Sequence, residues 1–186
     1  MTATIAEKLA EFLVNVRYQD LPSTVVHQAK RCILDYLGAT VRGSESKAGR
    51  IAIALAENLA GSRESTLIGV GRKVACPNAA LANGMMGHAT QIDDGHRYAQ
   101  GHPGTTVIPA AFAMAERQDS SGRDLMRATI LGYEIFVRVG VAVNPSHNNR
   151  GFHPTGTLGA FGSTAAAGIL AELNQSQMAD ALGSAG

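Results

Sequence analysis

Pro154-Thr155-Gly156-Thr157-Leu158-Gly159-Ala160-Phe161-Gly162-Ser163-Thr164-Ala165-Ala166-Ala167-Gly168-Ile169-Leu170-Ala171 runs without a charge. Its large apolar residues are only Leu158, Phe161, Ile169 and Leu170. The rest is Gly, Ala, Ser, Thr and Pro, too small and too polar for a lipid-facing span. Small residues let helix backbones approach closely, so the stretch predicts a buried, tightly packed helix. Composition extends that reading to the whole chain of 186 residues. Apolar residues make up 45% and charged residues 17%, with 21 glycines and no Trp. Such a mixture suits packed helices better than a β-sandwich. The expected fold class is mainly α.

Upstream, apolar residues return at helical spacing. Ile5, Leu9, Phe12, Leu13 and Val16 give a first amphipathic helix. Val25, Val26, Ala29, Cys32, Ile33, Tyr36 and Leu37 give a second, and Ile51, Leu55 and Leu59 a third. The period changes over residues 65–76, which read as a short β-hairpin. Pro77 opens a fourth helix expected to run to about Gln91. Further helices are expected from Pro103 or Gly104, after the capping sequence Ser121-Gly122-Arg123-Asp124, over about 155–172 and over 175–183. Asn144 to Gly151 reads as a polar loop.

Several function classes fall away. Net charge is +1 with Lys and Arg scattered, so no basic stripe awaits a nucleic-acid backbone. The glycines at 69 and 71 lack the Gly-Lys-Ser/Thr continuation of a phosphate loop. Charges at Glu7, Lys8 and Glu11 exclude a secretory signal. Cys32 and Cys76 are isolated and read as reduced thiols, as in a cytoplasmic protein. A metal site from Asp93, Asp94, His96 and His102 has no standard zinc spacing, and none is expected.

Two segments bring ionisable side chains to a helix entrance marked by Gly and Pro. One is Gln91-Ile92-Asp93-Asp94-Gly95-His96-Arg97 with Gly101-His102-Pro103-Gly104; the other is Gly151-Phe152-His153-Pro154-Thr155-Gly156-Thr157. Helix entrances offer free N–H groups and a positive dipole end, which suit a carboxylate. Imidazoles move protons near neutral pH. His88 reads as a satisfied core or interface histidine, Tyr133 as core, and His27 and His147 as structural or exposed.

These segments, with Ala80-Leu81-Ala82-Asn83-Gly84, Ser121-Gly122-Arg123-Asp124-Leu125, Gly132-Tyr133-Glu134 and Gly159-Ala160, resemble the MmgE/PrpD family in order and spacing, from the first helix to Gly186. That family includes 2-methylcitrate dehydratase, cis-aconitate decarboxylase and iminodisuccinate epimerase. The resemblance implies a helical domain joined to an α/β lid, a homodimer in the full-length form, and no metal or organic cofactor. It implies proton transfer next to a carboxylate of a small di- or tricarboxylic acid. By position it assigns His102, His153, Asp93 and Asp94 to catalysis, and Gln91, His96, Arg97, Gly101, Gly104 and Thr155 to substrate binding. Gln91 departs from an acidic residue frequent in the family and cannot act as a base. Gly95 lacks a hydroxyl that some members carry nearby. The family's lid and later lysines lie beyond residue 186, so residues 1–186 are expected to be one helical domain cut short. A non-catalytic remnant or interaction module is the competing expectation.

Overall fold

The computed structural model describes residues 3–59 and 61–186. Among them, nine helices and one minimal hairpin follow in order: α1 (Ile5–Asn15), α2 (Ser23–Ser44), α3 (Lys47–Asn58), β1 (Ser65–Thr66), β2 (Lys73–Val74), α4 (Cys76–His88), α5 (Gly104–Gln118), α6 (Gly122–Val143), α7 (Ser146–Asn149), α8 (Pro154–Leu170) and α9 (Gln175–Ala185). The mainly helical class is as expected. No described helix is long and apolar enough to cross a membrane.

Local chemistry sets the helix starts. Thr4, Ser121 and Asn174 each close a reciprocal cap with the residue three positions on, Glu7, Asp124 and Gln177. Each box satisfies donors that a helix start otherwise leaves unpaired. At the other end of α1, Arg127 reaches across from α6 and donates to the carbonyls of Val16 and Leu13 at 2.6 and 2.9 Å.

The charge-free segment is the packed helix it was read to be. α8 lies against α5 and α6 in a core that includes Val107, Leu131, Ile135, Phe136, Leu158 and Ala166. A Cβ on Gly132 of α6 would meet Val107 Cγ1 at 2.5 Å and the carbonyl oxygen of Gly162 of α8 at 2.9 Å. Only hydrogen at these positions permits that approach. A second cluster joins α3, α4 and the hairpin through Ala52, Ala56, Leu67, Val74 and Ala79. Buried Asn83 ties it to α4: its side chain donates to Thr66 O and accepts from Ile68 N, both at 2.9 Å.

Two boundaries differ from expectation. α4 stops at His88 rather than near Gln91, and residues 89–91 turn away with Gln91 at φ 52°. The polar loop after α6 contains the single turn α7, where His147 Nε2 bonds Thr157 Oγ1 at 2.7 Å and the ring stacks on Phe152. His147 is therefore structural, holding this turn against the start of α8.

Candidate functional site

The early stop of α4 builds the site. The turn after His88 carries Asp93 back beneath the end of α4, where its carboxylate is buried, with side-chain exposure of 1%. Asp93 Oδ2 lies 2.9 Å from His88 Nδ1 and 3.4 Å from His102 Nδ1. The rings of His88 and His102 are 5.0 Å apart, and that of His153 lies 6.4 Å from His88. Three imidazoles thus gather from three helix ends: the last residue of α4 and the residues before α5 and α8. His153 is exposed; His88 and His102 are each about one-third exposed. Among the described residues, Asp93 Oδ1 is buried with no hydrogen-bond partner, a state that costs about 1–3 kcal/mol.

Asp94 faces the other way. Its Oδ1 accepts the Gly104 N–H at 2.9 Å and its Oδ2 the Tyr133 hydroxyl at 3.0 Å. Burial pushes its carboxyl pKa upward, and the bonds from Tyr133 and Gly104 hold the rise back. The Tyr133 hydroxyl is also pushed up, by burial and then by the neighbouring Asp94 charge, so it stays a donor. The Asp94 carbonyl lies 2.6 Å from His102 Nδ1. A carbonyl only accepts, so Nδ1 carries the hydrogen, and in the neutral ring Nε2 holds the lone pair.

The remaining expected residues separate into those near the imidazoles and those away from them. Thr155 is buried and its Oγ1 accepts the His102 backbone N–H at 3.1 Å. Gly101 packs under α8, where a Cβ would lie 3.1 Å from Thr155 N. Gly95 lies beside the His102 ring, 3.8 Å from an added Cβ to Cε1. His96 instead accepts from Ala99 N through Nδ1, at 3.1 Å, and closes its own loop by a bridge to Gly101. Gln91 and Arg97 are exposed, and Arg97 makes no ion pair among the described residues.

Some of the amides expected to be free at the helix entrances are engaged. At α5 the N–H groups of His102 and Gly104 are taken by Thr155 and Asp94. At α8 those of Gly156 and Thr157 turn back to the His153 carbonyl. His88 also needs correction, because it is part of the cluster rather than a satisfied packing residue. Its signal in the sequence was its spacing of five from Asp93 across a Gly-free turn, which is no recognised pattern. Tyr133 packs on the core as expected, but its hydroxyl belongs to the site.

Ligand atoms of His88, Asp93 and His102 lie within 4.8 Å of one another. A cation there would have to displace the hydrogens that the two Nδ1 atoms direct at Asp93 and the Asp94 carbonyl. Both Nδ1 atoms are thus already engaged with oxygens of the 93–94 segment. A surface cavity of about 670 Å³ lies beside the hairpin, lined by Glu57, Arg63, Arg72 and Lys73 among others, and shares no residue with the cluster.

A mainly helical frame carrying imidazoles beside a buried carboxylate is the class of fold and site defined here. Residues 7–186 match the MmgE/PrpD N-terminal domain, and the chain belongs to that family. It is 32% identical over 190 residues to a cis-aconitate decarboxylase of Aspergillus terreus, covering 96% of this chain and 38% of that protein. It is 30% identical over 188 residues to the human cis-aconitate decarboxylase, covering 98% and 39%, and 27% identical over 188 residues to the mouse protein, covering 98% and 38%. The chain therefore spans less than two-fifths of the length of these relatives.

Proposed function

We propose that this chain carries the helical, histidine-bearing part of a lyase that moves a proton at a carbon next to a carboxylate of a small di- or tricarboxylic acid, without an organic cofactor or metal. The carrying observation is the pair His88 and His102 on buried Asp93, with the His153 ring 6.4 Å from that of His88, Nδ1 of His102 occupied and Nε2 left for a substrate. Decarboxylation of cis-aconitate is favoured within that class because the relatives above are named for it. In such a step the C–C bond to the departing carboxylate breaks, CO₂ leaves, and its electron pair stays on carbon, where an imidazolium delivers the proton. His102 and His153 are the proton donors in this reading. Asp93 holds the His88 ring at 2.9 Å and stands 3.4 Å from His102 Nδ1, which positions the two rings.

The native-length protein should release CO₂ from cis-aconitate and incorporate solvent deuterium into the product. Loss of water from a hydroxy-tricarboxylate instead would indicate a dehydratase; inversion at the α-carbon of an amino-dicarboxylate would indicate an epimerase. No reaction with any of these acids would sink the lyase reading and favour a non-catalytic helical module. Gln91 is the residue that favours that second reading, since an amide stands where an acid is frequent and cannot take a proton.

A further inference from the structure

We propose that Tyr133 and Asp94 act together as a positioning device that locks His102 in the tautomer with hydrogen on Nδ1; this rests on the reading above in which Nε2 meets the substrate. Asp94 is held at three points. Gly104 N–H donates to Oδ1 at 2.9 Å, Tyr133 Oη donates to Oδ2 at 3.0 Å, and the Asp94 carbonyl receives His102 Nδ1–H at 2.6 Å. The first two bonds fix the side chain, and through it the peptide that the third uses. Tyr133 sits mid-way along α6, with its ring packed on the main core, so its hydroxyl is presented from a rigid element rather than from the loop it restrains.

An independent observation supports a built arrangement. A Cβ at Gly104 would fall 2.5 Å from Asp94 Oδ1 and 2.7 Å from Tyr133 Oη. The two side chains converge on a backbone position that admits no side chain at all. The choice of partner also matters. A backbone carbonyl can only accept, so it fixes the hydrogen on Nδ1 whatever the state of the surrounding carboxylates. Asp93 Oδ2 stands farther off, at 3.4 Å, and is engaged by His88. His102 is thereby oriented by a carbonyl, with a carboxylate in reserve. For imidazoles that ligate metals, partners that orient the ring in this manner are worth about 10–100-fold, and an effect at the lower end is expected here.

The test is ¹⁵N NMR of the His102 imidazole in the purified chain. The wild type should show a single neutral tautomer with hydrogen on Nδ1. Tyr133→Phe keeps the ring and should release a mixture of tautomers while the remaining backbone spectrum stays in place. An Nε2–H tautomer in the wild type, or an unchanged tautomer in Tyr133→Phe, would overturn the proposal. Should Tyr133→Phe not fold, Asp94→Ala should lose the fixed tautomer and Asp94→Asn, which keeps an acceptor for Gly104, should restore it; equal behaviour of the two would also overturn it. In the native-length protein, Tyr133→Phe should lower kcat about tenfold and leave KM unchanged. A fixed tautomer in a protein without turnover sinks the lyase reading alone; turnover with an unfixed tautomer sinks the positioning pair alone.

Discussion

The Thr155 hydroxyl accepts the backbone N–H of His102 at 3.1 Å, joining the entrances of α8 and α5 across 53 positions of sequence. Thr155 is buried at the first turn of α8, so this bond sets how the segment bearing His153 sits against the segment bearing His102. Replacing Thr155 by Val keeps shape and volume but removes the acceptor. The His102 N–H then loses its partner, which should cost about 1–3 kcal/mol. Thr155→Ser should recover most of it. Chemical denaturation of the three proteins checks this, and equal midpoints for Val and wild type would show that the bond is dispensable.

His102 and His153 should separate activity from stability. The His153 ring is exposed, so His153→Gln should shift unfolding free energy by no more than about 0.5 kcal/mol. In the native-length protein, loss of a general acid or base should lower turnover by roughly 10²–10⁴-fold. His102→Gln should do the same, with an added effect from losing the bond to the Asp94 carbonyl. Wild-type rates in both variants would remove the two imidazoles from the reaction.

Gly132 tests the packing that the opening stretch foretold. Its missing side chain admits Val107 Cγ1 and the Gly162 carbonyl, so Gly132→Ala forces α6 away from α5 and α8. Overpacking of this kind costs about 1–3 kcal/mol, against a gain in helix propensity of at most about 1 kcal/mol. Net destabilisation is expected in thermal unfolding. In Gly122→Ala, where no atom of the described residues lies within 4 Å of the added Cβ, no such loss should appear.

The frame was legible in the sequence because helix periodicity, caps and small-residue packing are local signals. Ser121 announces α6 by its side-chain chemistry, and the bare stretch from Pro154 announces its own burial. His102 and His153 were legible because Gly and Pro mark helix entrances. What stayed hidden depends on how the chain closes in space. His88 looked like packing because nothing local shows that α4 stops there and returns Asp93 to it. Tyr133 lies 39 positions from Asp94, and a helical tyrosine reads the same whether its hydroxyl is idle or bonded. The entrance amides seemed free because a sequence does not reveal that Asp94 and Thr155 already claim them.

Asp94 gives the clearest pH prediction. Its folded pKa lies above the ordinary carboxylate value of 3.8, chiefly through burial. A raised folded pKa means the native state prefers the protonated carboxyl. The associated stability is fully present below the unfolded pKa near 3.8 and is lost as pH rises through the higher folded pKa. At neutral pH the native protein therefore carries the whole cost of an ionised, half-buried Asp94. Asp94→Asn removes that ionisation while keeping an oxygen for Gly104 and an amide to face the Tyr133 hydroxyl. The variant should be at least as stable as wild type at pH 7, and its advantage should shrink as pH falls through the folded pKa toward 3.8. Denaturation at several pH values measures the difference directly. A neutral-pH loss of stability in Asp94→Asn would mean that the bonds from Tyr133 and Gly104 outweigh burial, and that the ionised carboxylate holds this loop together.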